Sequence, residues 1–267
     1  MTKITIDDKI YEVPGNWNEI SLEQYIALIR ICDKQLSYVE IQLKFFLHCT
    51  YGSVKEHVGY GMFTIKTRKG KHRLFADELA SILQIFDYLF VTDSEGLREL
   101  SPKIVINHFK RVKCGCVFVY GPNDAMDNIT YNEFVWLQTW QSQLNGTLDA
   151  IDELINVIYK TSNGKQNVSN VRRMSKTVKT GILWFYLGTL QFLETKFPHV
   201  FSGSDSSGSV FDNQQRIIDS LAEGDVTKKN FVRESLLYDA LYSMEMAAIR
   251  MEEMEKQLNK NNKIKHV

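Results

Sequence analysis

Apolar residues recur with a helical period over most of the chain and with a two-residue period in a few short stretches. Ile4-Thr5-Ile6 and Ile10-Tyr11-Glu12-Val13 alternate around an Asp-Asp-Lys turn and predict two short strands. Pro14-Gly15 ends that pattern. Ser21 with Gln24, Ser37 with Glu40 and Thr130 with Glu133 each form a capping box, in which the hydroxyl takes an orphan amide and the longer side chain reaches back. The boxes predict helices from Leu22 to Cys32, from Tyr38 to Cys49 and from Tyr131 onward, the last ended by Gly146. Residues 61–75 alternate around Arg68-Lys69-Gly70-Lys71 and read as a β-hairpin, with Gly59-Tyr60-Gly61 as a turn before it. Asp77 is placed to cap a helix ending near Phe90. Lys103–Ile106 and Cys116–Tyr120 fit strands, and Thr147 caps a helix over 148–160.

Residues 161–173 are polar and read as a loop. Helical periodicity then runs from about Met174 to Lys196 and stops before Pro198. The uncharged stretch Thr180–Leu193 suits a buried core helix, because a membrane span needs about 20 apolar residues. The run 202–209 is Ser- and Gly-rich, the composition of a flexible linker. A helix over 211–223, ended by Gly224, and a final helix over about 234–258 complete the pattern. The expected fold class is therefore mainly α: a helical bundle with minor β-hairpins near the N-terminus and at about 61–75. The expected domains are a mainly helical one over 1–201, the linker 202–209, and a C-terminal helical hairpin over 210–267.

Composition narrows the class. The chain has 267 residues with 44% hydrophobic side chains, enough for a sizeable core and too much for a disordered protein. Its 32 Lys and Arg balance 32 Asp and Glu, which argues against a globally cationic nucleic-acid binder. An acidic pair at Asp7-Asp8 interrupts the N-terminus before any secretory apolar run. With Cys32 and Cys49 in helical patterns and Cys114-Gly115-Cys116 too tightly spaced for mutual pairing, a reducing cytoplasm is the expected compartment.

Catalytic signatures are missing from the sequence: no phosphate-binding Gly-x-x-x-x-Gly-Lys, no Gly-x-Ser-x-Gly, no His-Glu-x-x-His. No catalytic residue, cofactor or metal site is expected. Cys114 and Cys116 lack the second ligand pair that zinc requires, and read as part of a strand of small side chains. Asp124 and Asp127 lack calcium-loop phasing, so turn closure explains them.

Charge is more informative. No Lys or Arg occurs from Cys114 to Tyr159, whereas Lys160, Lys165, Arg172, Arg173, Lys176 and Lys179 follow without an acid up to Thr180. Lys165, Arg172, Arg173, Lys176 and Lys179 form a candidate anion-binding set; the other reading is that this block answers the acidic block inside the molecule. In the last helix Leu237, Ala240, Met244, Ala247, Met251, Met254 and Leu258 are spaced 3-4-3-4-3-4, an a/d seam. Met and Ala make it thin and adaptable, a candidate partner-binding surface, with packing on the protein's own helices as the other reading.

Several stretches in order resemble proteins from the tail-gene region of tailed phages that infect Bacteroidetes-type bacteria. They are residues 14–25, Tyr120-Gly121-Pro122-Asn123-Asp124 leading into Ile129–Phe134, residues 148–155, Phe197-Pro198-His199-Val200-Phe201 and Leu237-Tyr238-Asp239-Ala240-Leu241. These proteins are similar to tail assembly chaperones. The resemblance implies a helical, non-enzymatic protein of the bacterial host cytoplasm that binds another tail subunit before assembly, with self-association as a further case. It carries no membrane or cofactor. The rival expectations are a permanent virion component, such as a ring or connector subunit, and a nucleic-acid-binding module on the basic segments 66–73 and 160–179. Nucleic acid is not the favoured partner, since no aromatic interleaves with the bases of 160–180.

Overall fold

The computed structural model describes residues 1–57, 61–144, 148–201 and 210–264. The first half of the chain contains β1 (Thr2–Ile6), β2 (Lys9–Val13), α1 (Leu22–Cys32), α2 (Tyr38–Cys49), β3 (Ser53–His57), β4 (Met62–Thr67), β5 (Gly70–Phe75), α3 (Ala76–Leu83), β6 (Phe90–Thr92), β7 (Arg98–Leu100), β8 (Arg111–Cys114) and β9 (Val117–Tyr120). The second half contains α4 (Tyr131–Gln141), α5 (Leu148–Ile158), β10 (Lys160–Thr161), α6 (Val168–Arg172), α7 (Lys176–Lys196), α8 (Pro198–Phe201), α9 (Val210–Leu221), α10 (Val226–Glu234) and α11 (Leu237–Ile264). Helix makes up 56% and strand 18%, the strands in small antiparallel sheets, so the protein is mixed α/β with a helical majority.

Two compact units form: Met1–Ile104 with Ser175–Gly188, and Val105–Met174 with Thr189–Val267. The division thus falls after Ile104 and twice around α7. The expected linker 202–209 lies outside the described residues, as do the Gly59–Tyr60 turn, Gly146 and the cap Thr147.

In the first unit, β1 and β2 pair in the register Ile4↔Tyr11, and Ile4, Ile6, Tyr11 and Val13 turn inward. Asp7 and Asp8 take positive φ, 46° and 60°, which Asp tolerates better than most residues and which suits a tight hairpin turn. The Tyr11 hydroxyl joins this hairpin to the next sheet, lying 2.6 Å from His72 Nε2 and 2.7 Å from Thr67 Oγ1, while His72 Nδ1 is 2.9 Å from Asp7. The sheet at 61–75 has a third strand that periodicity did not suggest, giving the order β3-β4-β5. Both expected capping boxes on α1 and α2 are present. Asp77, in contrast, is inside α3: Phe75 is the N-cap, and Glu78 accepts from its amide at 2.8 Å. Lys103–Ile106 form no strand. There the backbone of Ile104 crosses α7 so closely that a Cβ on Gly188 would lie 2.5 Å from Ile104 N, a contact that glycine alone permits. Trp17, Tyr25, Phe45, Phe46 and Phe86 fill the core with Ile182 and Trp184 of α7. Tyr25 donates to the Gly181 carbonyl at 2.7 Å and Trp17 to that of Tyr88 at 3.1 Å, so the buried polar ends are satisfied.

The second unit contains the sheet β10-β9-β8, the helices α4–α6 and α8–α11, and the end of α7 from Thr189. Cys114 ends β8, and Gly115, at φ +65°, turns the hairpin. Residues 161–173 are not wholly loop: Asn167 caps α6 by accepting from the Ser169 amide. The C-terminal region has a helix more than the expected hairpin. Residues 226–234, VTKKNFVRE, lack an apolar period, but the Asp225 carboxylate accepts from Thr227 N at 2.8 Å and starts α10.

Candidate interaction surface

The seven seam positions lie on one helix, α11, but not in one environment. Leu237 (0% exposed) and Ala240 (5%) are core residues, joined by Leu241 one position off the seam. Met244 is half-buried and Ala247 exposed, whereas Met251 (61%), Met254 (55%) and Leu258 (62%) face solvent. Every residue from Met251 to Leu258 is exposed.

The buried end is held by groups far away in sequence. Leu236 pairs with Thr130 in an isolated antiparallel bridge, where Tyr131 N donates to Ser235 O and Leu237 N to Ile129 O, both at 2.9 Å. Thr130 also carries the capping box of α4, so one residue starts one helix and anchors another. The Tyr238 hydroxyl donates to Ala125 O at 3.0 Å. Two turns on, the buried Glu245 accepts from the amides of His199 (3.3 Å) and Val200 (3.1 Å) and lies 2.5 Å from His199 Nδ1. Burial by itself would raise this carboxyl's pKa; the His199 imidazole and the two amides outweigh that and hold it below its ordinary value. His199 Nε2 reaches Glu252 at 3.6 Å, the last contact of this cluster before the helix emerges.

Sequence reasoning missed a second apolar patch beside the buried end. Val226 (73% exposed) and Phe231 (78%) project from α10 and Tyr242 (62%) from α11. A cavity of about 340 Å³ lies here, with Leu221, Phe231, Val232 and Ala240 as its apolar wall and Lys228 and Asp239 as its polar one. The available signal was Asp225, an N-cap placed after Gly224.

Of the candidate anion set, Lys165, Arg172 and Arg173 belong to the second unit and Lys176 and Lys179 to the first. Three cations of the basic block have acidic partners. Arg172 lies 3.5 Å from Asp149, Lys160 pairs with Glu133, and Lys176 pairs with Asp33 beside a cavity of about 610 Å³ in the first unit. Lys179 is half-buried one turn along α7, and Lys165 is exposed.

Asp124 closes a loop rather than holding a cation. It accepts from Asn107 N at 2.9 Å and pairs with Lys110 at 3.0 Å, while Asn128 accepts from Asn123 N. Among the described residues no three His, Cys, Asp or Glu side chains converge as a metal site, and no helix is long and apolar enough to cross a membrane. Burial pushes the thiols of Cys32 and Cys49 up to about 12, so both stay protonated and weakly nucleophilic. No protein-family model, curated protein or solved structure matches the chain.

Proposed function

We propose that the chain is a non-enzymatic assembly protein that holds a partner subunit on the emergent half of α11, in the manner of the phage tail assembly chaperones its segments resemble. The observation that carries this reading is the exposed stripe Met251, Met254 and Leu258 on a helix whose other end is locked into the second unit. In that unit α4 packs against α5, α9, α10 and α11, a small helical bundle that presents the docking helix. A rigid helix with flexible thioether side chains can repack against different apolar partner surfaces. Glu252, Glu253, Glu255 and Lys256 surround the stripe with charge and keep it soluble when unoccupied. The partner in this reading is another tail subunit, met in the bacterial host cytoplasm.

A chain ending at Arg250 tests the assignment, because it removes only the exposed half and leaves Leu237, Ala240 and Leu241 in the core. Capture of tape-measure or tail-tube subunits by the full chain, lost in the 1–250 chain and in Met251→Glu/Met254→Glu, is the expected result. Undiminished capture by 1–250 removes α11 from the mechanism. Stoichiometric presence in purified particles would replace a chaperone with a virion component.

A further inference from the structure

The outward face of the sheet β10-β9-β8 combines cations with aromatic rings. Inward positions are filled by Val112, Cys114 and Val119, all buried, so pleating turns Arg111 and Lys113 of β8 and Phe118 and Tyr120 of β9 to solvent. The register sets Arg111 opposite Tyr120 and Lys113 opposite Phe118, and Lys160 of β10 pairs with Tyr120 on its other side. The result is one row Lys160–Tyr120–Arg111 and a second row Phe118–Lys113, about 7 Å further along the strands. None of these five outward positions is acidic. Phe118 and Tyr120 are 38% and 42% exposed, whereas Phe134, Tyr131 and Tyr159 of the same unit are almost completely buried.

The Arg111 guanidinium is spread over Phe118, 3.8 Å from the ring centroid, and stands 5.9 Å from that of Tyr120. Contact with Phe118 holds the cation over the sheet face, where it adds to the positive field. Arg111 and Lys113 have no acidic partner among the described residues, whereas Lys160 is shared with Glu133. Beside Tyr120 a cavity of about 290 Å³ is lined by Asn128, Thr161 and Ser162, whose side chains donate and accept hydrogen bonds, and by the Glu133–Lys160 ion pair.

We propose that this sheet face binds single-stranded nucleic acid, with bases stacking on Tyr120 and on the Arg111–Phe118 pair and phosphates meeting Arg111 and Lys113. An exposed apolar patch alone would fit any protein, but unpaired cations alternating with exposed rings match a polyanion that presents flat π faces. The edge position of β8 leaves the platform open along one side for an extended strand. This surface is separate from α11, so the proposal stands or falls independently of the assembly role.

Fluorescence anisotropy of the full chain with labelled dT20, rU20 and a 20-bp duplex tests it. Both single strands are expected to bind, with a difference between them showing whether the 2′-hydroxyl is read. Two phosphate contacts give a log–log salt slope near −1.4, so a tenfold rise in salt weakens binding roughly 25-fold. Tyr120→Ala costs about tenfold, while Tyr120→Phe keeps the affinity and Lys113→Gln lowers the slope by about 0.7. A thermal unfolding midpoint unchanged from wild type certifies each variant, and Lys113→Gln remains informative if Tyr120→Ala does not fold. No binding of either single strand at 50 µM protein and low salt overturns the proposal. So does equal affinity for duplex, or displacement of dT20 by poly-glutamate at equal charge, which would make the face a docking site for an acidic protein.

Discussion

The two ends of α11 have the same apolar spacing and opposite fates. Leu237 and Ala240 continue the core of the second unit, whereas Met251, Met254 and Leu258 continue the pattern into solvent. The difference is not in the helix but in what stands opposite. Near Leu237 the chain from Ala125 to Tyr131 supplies two backbone hydrogen bonds, a carbonyl for Tyr238 and an apolar wall. Near Met254 nothing described does so. A heptad stripe therefore specifies a face and its direction, and leaves open whether the protein itself or a partner covers it.

The contrast makes the two ends respond differently to substitution. Leu237→Ala removes a fully buried side chain and leaves a cavity, so urea denaturation should show a loss of roughly 2–5 kcal/mol. Glu245→Gln weakens a buried acceptor of two amides and an imidazole, with an expected cost of about 1–3 kcal/mol. Its charge also sets a pH dependence. The folded-state pKa lies below the ordinary 4.5, so its contribution is present above that value and is lost as pH falls through the folded value. A denaturation series should show wild type losing stability on acidification through this range, and Glu245→Gln losing less. Thr130→Ala removes the hydroxyl that caps α4 and should cost about 1 kcal/mol in the same assay. Met254→Ala should leave stability within about 0.5 kcal/mol while weakening partner capture. A large stability loss at Met254 would mean that the emergent half is covered by the protein itself.

Local features were the legible ones. Ser21/Gln24, Ser37/Glu40 and Thr130/Glu133 cap helices in the expected way because a capping box closes within four residues. Gly224 ends α9 at φ +74° for the same local reason. Failures cluster where a distant group decides. Lys103–Ile106 have a strand's composition, but Ile104 runs against Gly188 of α7 and finds no strand to pair with. Ser53–His57 have a mixed, polar composition and become a strand only because β4 offers an edge. Asp77 is a good cap by residue type, yet the helix already starts two residues earlier, with Phe75 as its N-cap, whose amide donates to Glu78. The polar α10 was invisible to periodicity, and with it Phe231 and its cavity.

Charge followed the same division. The acid-only block and the base-only block are plain in the sequence, but only the fold pairs Arg172 with Asp149 and Lys160 with Glu133 across them. It also turned the segment 111–120, with the basic cluster Lys110-Arg111-Lys113 and the strand pattern Cys116–Tyr120, into a face of cations and rings, because pairing β8 with β9 aligns alternate residues.

By itself, the sequence determined most of the helical segments (though not α6, α8 or α10), the starts of three of those helices, the two N-terminal hairpin strands and the apolar face of α11. These depend on hydrogen bonds and periodicities that close within a turn or two of chain. Tertiary structure alone decided the third strand of the β3–β5 sheet, the division into two units, and which half of the seam is core and which is surface. Those outcomes depend on contacts such as Tyr238 with Ala125, 113 residues apart, whose desolvation and pairing energies no local pattern encodes.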